Sequence, residues 1–309
     1  MKKLLTLILI LPCIGYAQYF SGEITYEVKI KPKSDTLDLK EIIEQNHGTT
    51  TSYIITAHNY KSTYYKDKKY SYSYSYDDKT QRMYDDHTDK PYITFRDSRK
   101  SNFEYYGSQI FKDSTAAILG HDCYMVMSES EYGVAKTYYS DDIKVDYANF
   151  EGHKVGNWYN KLKEVDGAIP LRTVTEFDLY FEIREAIKIE ERKVKPKEFK
   201  LPQKPLAASF TALDKQIEMQ PPSQQQIQCY QQKVNSVSVQ RGEKTTILVS
   251  FLLEKNGKIK FIKPLEEDAE GLHKIAVDIV TNCGFQYTPG IIAEEPVDSE
   301  AYFPVVFFR

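Results

Sequence analysis

No apolar run in these 309 residues is long enough to cross a bilayer. The longest leading stretch, 4–11, is about eight residues where about twenty are needed. Charge of one sign is also missing: 41 Lys and Arg face 44 Asp and Glu, spread along the chain. That excludes the clustered basic face of a nucleic-acid binder and a polybasic lipid-binding stretch. Glycine-rich phosphate loops are absent, and so is the G-x-S-x-G turn that presents a serine nucleophile. The six histidines form no H-x-x-x-H, H-E-x-x-H or Cys-His zinc spacing. The acidic pairs Asp77-Asp78, Asp85-Asp86 and Asp141-Asp142 lack the alternating oxygen spacing of a calcium loop and are expected in turns, where Asp is common. The sequence therefore points to no enzyme, no cofactor and no metal. Cysteine is scarce at four, and tryptophan is down to one.

What is present begins with a leader. Lys2 and Lys3, the apolar run 4–11 and Gly15-Tyr16-Ala17 before Gln18 have the three parts of a secretory signal, 1–17. Its removal predicts a periplasmic or secreted protein. Cys13 offers a lipoprotein alternative, but Pro12 stands where a small residue is needed. Cys123, Cys229 and Cys283 then remain. Cys229 and Cys283 either pair within the C-terminal part, or all three stay reduced as small apolar side chains. Cys123 reads as a buried strand residue rather than a nucleophile, since Asp122 beside it opposes a thiolate.

Strand patterns dominate up to residue 193. Ile24, Tyr26, Val28 and Ile30 alternate with polar residues, and strands are predicted at 24–30, 50–57, 61–65, 69–76, 81–84, 91–95, 123–128, 134–139, 168–177 and 179–193. A short helix is expected at 37–44 and a helical turn near Trp158. Short strands at this spacing imply an antiparallel sheet that curls or closes. Twenty-five tyrosines weight this part. Tyr70, Tyr72, Tyr74 and Tyr76 alternate with serines and so are expected on one strand face. Two readings stand: an aromatic surface for a glycan, lipid or peptide, or a sheet packed and propagated by tyrosine. Residues 195–228 then turn Pro- and Gln-rich, as linkers do, with a helix conceivable at 207–219. The expected division is 18–202 for a β-rich domain, 203–221 for a linker and 222–309 for a second domain.

The C-terminal stretch reads strand, turn, strand, helix and a last strand. Asn256-Gly257 predicts a type I′ hairpin. Leu272, Ile275, Ala276, Ile279, Val280 and Cys283 fall at helical spacing on one face. Tyr287-Thr288-Pro289-Gly290 breaks the chain before a strand at 301–308. This order resembles the C-terminal domain of TonB, which implies protein binding and no catalytic residues. Ile118-Leu119-Gly120-His121-Asp122-Cys123, the later Ala135-Lys136-Thr137-Tyr138-Tyr139, the opening Gly22-Glu23-Ile24-Thr25-Tyr26 and the closing Phe199-Lys200-Leu201-Pro202 are similar to GLPGLI-type secreted proteins, relatives of the LolA-like half-barrel. The eponymous loop is missing; Gly167-Ala168-Ile169-Pro170-Leu171 is its nearest remnant, so a function tied to that loop does not carry over.

Together these imply an α+β chain: a curved antiparallel half-barrel followed by a small TonB-like unit. The first functional expectation is an envelope protein that docks a protein partner by β-augmentation on the last strand, at Tyr302, Val305, Val306, Phe307 and Phe308. The alternative is a carrier of lipid or another apolar ligand in the concave face of the first sheet, with Tyr70, Tyr72, Tyr74 and Tyr76 as the aromatic contact.

Overall fold

The computed structural model describes residues 19–34, 42–43, 48–101, 103–237 and 244–308. The expected signal sequence and most of the expected helix at 37–44 lie outside them. The strands of the first part are β1 (Gly22–Pro32), β2 (Thr50–Ile55), β3 (Asn59–Lys66), β4 (Lys69–Asp77), β5 (Arg82–His87), β6 (Ile93–Asp97), β7 (Tyr105–Ile118), β8 (His121–Ser130) and β9 (Gly133–Lys144). Helix α1 (Trp158–Glu164) separates them from β10 (Ala168–Glu176) and β11 (Tyr180–Glu191). Then come β12 (Leu206–Ala208), β13 (Glu218–Met219), α2 (Gln224–Val234), β14 (Lys244–Leu253), β15 (Ile259–Pro264) and α3 (Leu272–Asn282). Three two-residue strands, β16 (Tyr287–Thr288), β17 (Ile291–Ile292) and β18 (Glu295–Pro296), precede β19 (Ser299–Phe308).

Fifteen of these strands form a single sheet in the order β15-β14-β19-β12-β6-β5-β4-β3-β2-β1-β11-β10-β9-β8-β7. Pairing is antiparallel except at β12, which runs parallel to both β6 and β19. From β5 to β7 the order crosses nine strand spacings, about 40 Å if flat. Yet Tyr76, Met83, Ile118, Cys123 and Ala186 belong to one buried cluster with Phe150 and Leu162 from the segment between β9 and β10. The sheet curls around that segment: Phe150 meets Tyr60 and Tyr76, while Val165 packs with Tyr124, Val126 and Tyr139.

Strand β7 has no counterpart among the expected strands. Its sequence barely alternates because it is the outer strand, exposed along most of its length and twice bulged. The turn into β8 is tight, with Leu119 and Gly120 both left-handed at φ 51° and 85°. At Lys255-Asn256-Gly257 the expected type I′ turn is not formed. Among the central residues only Gly257 is left-handed, Gly257 N–H donates to Glu254 C=O at 2.8 Å, and Glu254 N–H to Lys258 C=O at 2.8 Å. This is a three-residue loop with a glycine bulge.

The C-terminal helix and strand form over the expected residues. Leu272, Ala276, Ile279, Val280 and Cys283 are buried against Val249, Phe251, Leu253, Val305 and Phe307. Asp268 caps α3 from outside, accepting from Leu272 N–H at 2.8 Å and His273 N–H at 2.6 Å. Those donors outweigh burial, which alone would raise it, and hold the Asp268 carboxyl down to about 2. Cys229 and Cys283 form a disulfide with Cα atoms 5.6 Å apart, tying α2 to the end of α3. Cys123 is free and buried, and burial raises its thiol pKa.

In place of the helix conceived at 207–219 there are two short strands and a single 3-10 turn at Phe210–Ala212. Ala207 and Ala208 are fully buried in β12, which bridges the edges of β6 and β19. Ala208 N–H donates to Asp298 C=O at 2.8 Å, and Ile93 N–H to Pro205 C=O at 2.9 Å. Lys204 reinforces the join, donating to Asp86 Oδ1 at 2.7 Å and to the carbonyls of His87 and Lys90. Asp85 and Asp86 are thus not turn residues. They lie buried in β5, on opposite faces, Asp85 held by Arg96 and Tyr72, Asp86 by Lys204 and Tyr70.

Candidate functional site

The hollow of the sheet is only half filled by its own side chains. Over β1 to β5, Tyr26, Tyr53, Tyr60 and Tyr76 are buried, with Phe150 and His153 stacked among them. Tyr60 O–H and His153 Nε2 are 2.6 Å apart, and burial pushes the His153 imidazole down to about 3. Over β8 to β11 the face is open. There α1 stands off the strands and encloses a cavity of about 310 Å³.

Local sequence sets that stand-off. Gly156 and Asn157 enter α1 through left-handed conformations, which these residue types adopt at little cost. Asp166 and Gly167 end it the same way, at φ 52° and 80°, with Gly167 N–H donating back to Leu162 C=O at 2.7 Å. A Cβ at Gly167 would lie 2.0 Å from the Val145 carbonyl oxygen, so the chain passes close enough only without one. Pro170 then interrupts the β9–β10 ladder, where the register shifts on both its sides.

The floor of the cavity comes from Val126, Ser128, Thr137, Tyr139 and Thr173, its roof from Trp158, Lys161 and Leu162, and its rim from Phe103, Tyr105 and Tyr132. A narrower extension of about 80 Å³ continues beneath Trp158, lined by Tyr26, Tyr53, Tyr60 and Tyr74 and sharing Trp158, Pro170, Thr173 and Arg184 with the larger space. Arg184 lies over the Tyr26 ring, 4.1 Å from its centre. At the rim Lys161 Nζ faces the rings of Phe103 and Tyr105 at 4.7 and 5.5 Å. Burial lowers its ammonium pKa, with Glu164 opposing. Glu164 itself accepts from Ser108 at 2.7 Å and Tyr105 at 3.1 Å.

The four tyrosines expected on one face do not stay together. Tyr64 pairs Tyr72 but Tyr65 pairs Tyr70, so Ser71 is an extra residue in β4. That bulge turns Tyr70 to the other side, where its hydroxyl meets Ser73 and Asp86. Tyr72 and Tyr74 stack with Tyr64, Tyr74 lines the narrow extension, and Tyr76 is core. Trp158, Lys161 and Arg184 were not singled out by sequence. Only the lone tryptophan carried any signal, as an irregular turn; Arg184 sits in a strand whose alternation gives no hint of an unpaired charge.

On the last strand, Val305 and Phe307 are fully buried beneath α3, Tyr302 is exposed, and Val306 is half-buried; Phe308 ends the strand with its backbone opposite Lys244. The outward edge of β19 is partly taken. Val306 N–H donates to Tyr230 Oη at 3.1 Å, and Tyr230 O–H donates to Val306 C=O at 3.3 Å. Two residues earlier Pro304 has no N–H to offer. At the inner end Glu300 is buried and accepts from Lys90 at 2.6 Å, Tyr302 at 2.6 Å and Tyr92 at 2.9 Å. Burial would raise that carboxyl, but the three donors bring it below its usual range.

Among the described residues no group of three or more His, Cys, Asp or Glu side chains could hold a metal, and no helix is long and apolar enough to cross a membrane. No family model and no curated protein matches the chain. Among solved structures it is similar to PNGF-II at 12% identity and a TM-score of 0.36, over 76% of this chain and 44% of that one. It is also similar to the Mycobacterium tuberculosis lipoprotein LppX at 10% identity and a TM-score of 0.27, over 57% of this chain and 89% of that one. The chain thus spans less than half the length of PNGF-II.

Proposed function

We propose that this chain is a non-enzymatic protein of the cell envelope that binds a small apolar or amphipathic ligand between α1 and the concave face of β8 to β11. The observation that carries this is the cavity of about 310 Å³ with aromatic walls, left open where the rest of the hollow is packed. Its volume lies at the lower end of ligand pockets, roughly 300–1,000 Å³. That suits a compact ligand or a single chain rather than a bulky lipid. The disulfide supports an oxidising compartment, as does the leader-like start of the sequence.

Native mass spectrometry of the protein purified from its own envelope tests the reading. A co-purifying small molecule, lost when Leu162→Trp fills the cavity, is the expected result. Mass of the bare chain alone, together with no uptake of any apolar probe by that protein, counts against it.

A second reading is a protein partner docked on β19. The exposed Tyr302 and neighbouring Leu248 favour it, while Pro304 and Tyr230 leave little free edge for an added strand. Capture of outer-membrane receptor plug peptides by wild type but not by Tyr302→Pro would support it; absence of capture by folded protein would remove it.

A further inference from the structure

Three buried polar atoms without a hydrogen-bond partner belong to residues lining the same narrow space: Tyr53 Oη, Trp158 Nε1 and Arg184 Nε. Their neighbours are accounted for. Tyr26 O–H donates to Pro170 C=O at 2.7 Å, and Tyr60 is engaged with His153. The three left over share one chemistry. Trp Nε1–H and Arg Nε–H only donate, and a Tyr hydroxyl can donate. A guanidinium keeps its charge at any ordinary pH, and the ionisable groups around this one are Tyr64, Tyr26, Tyr74 and Tyr53. Among the described residues Arg184 has no carboxylate partner, whereas Arg96, Arg99, Arg172 and Arg192 each have one. Buried donors are nearly always satisfied, and a convergent set that is not wants an acceptor from outside.

We infer that the narrow end of the cavity receives an oxyanion headgroup, carboxylate or phosphate, and that the wider part takes the apolar body attached to it. Resting on the ligand-binding reading above, this specifies the ligand class: an anionic amphiphile, its head against Arg184, Trp158 and Tyr53, its body along Val126, Tyr139 and Leu162. The volumes agree with that division. About 80 Å³ is the share of two or three waters, the size of one such headgroup. At the rim Lys161 and Glu164 carry opposite charges, so the charge that selects the ligand is that of Arg184 at the narrow end. A neutral ligand of the same shape would leave the guanidinium unpaired.

Trp158 is the single tryptophan and lines both parts of the cavity, so its emission reports occupancy directly. The experiment titrates the full secreted chain with decanoate, with decanol as the neutral counterpart, and with inorganic phosphate as the free anion. Decanoate is expected to bind at least about tenfold more tightly than decanol. Arg184→Met is expected to weaken decanoate by about 10- to 100-fold, as for loss of a charge-assisted bond, and to leave decanol nearly unchanged. Equal binding of decanoate and decanol overturns the headgroup assignment while leaving the cavity reading intact. Failure of both overturns the two together and means the cavity holds water only. Phosphate alone binding as well as decanoate makes it a small-anion site and overturns the amphiphile. Should Arg184→Met fail to fold, as judged by circular dichroism, the wild-type comparison of decanoate with decanol still decides.

Discussion

If Arg184 is set to pair a ligand headgroup, it should cost the protein stability when no ligand is bound. A guanidinium taken out of water and set against one tyrosine ring recovers part of its hydration through the π face, but a carboxylate would recover more. Arg184→Met should therefore stabilise the unliganded protein, by about 1–3 kcal/mol in urea unfolding. A loss of similar size would mean that the arginine holds the sheet together rather than waiting for a ligand. His153 makes the opposite kind of prediction. Its folded pKa, about 3, lies below the ordinary 6.5, so between those values the unfolded chain binds the extra proton. Stability from neutral His153 is complete above about pH 6.5 and is lost as pH falls toward 3. Between about pH 5.5 and 4.5 the wild type should lose about 1.4 kcal/mol per pH unit more than His153→Gln. Parallel curves for the two proteins would show that His153 is protonated in the fold. At this scale the sequence was legible only in part. Alternation put Tyr72 and Tyr74 on the concave face, but the bulge that expels Tyr70 depends on how β3 and β4 pair, and no local pattern encodes it.

Elements were legible where one face is buried and the other wet. β1, β3 and α3 alternate or repeat cleanly because the hollow or the helix-side core takes one face. β7 escaped notice because it sits at the sheet's edge with little to bury, and β12 because three residues carry no period. Edges are also where this protein guards itself. β7 is bulged, β15 has its own register shift opposite Ser250 and Leu252, and β19 is blocked by Pro304 and Tyr230. Tyr230→Phe should free the N–H and C=O of Val306 and cost about 1–2 kcal/mol. A dimer on size-exclusion chromatography should accompany it if the hydroxyl is what keeps the strand single. An unchanged melting temperature and a monomer would assign the protection to Pro304 alone.

For the whole molecule, the decisive feature is that two expected units share one sheet. The Pro-rich stretch crosses between them as β12, and Lys204, Lys90 and Glu300 surround the crossing with buried ion pairs. Ala208→Pro removes the N–H that reaches Asp298 and should split a single unfolding transition into two, the earlier one disulfide-sensitive. One coincident transition by tyrosine and tryptophan signals would show that the join does not depend on this bond. The sequence by itself determined the β-rich curved sheet and the hairpin, helix and final strand, because periodicity and turn chemistry are local. Only the tertiary structure decided that β12 fuses the sheets, that half the hollow stays open, and that three donors meet there unpaired. Those facts depend on residues far apart in the chain, Tyr53, Trp158 and Arg184 among them, and proximity of that kind leaves no mark on a sequence read along its length.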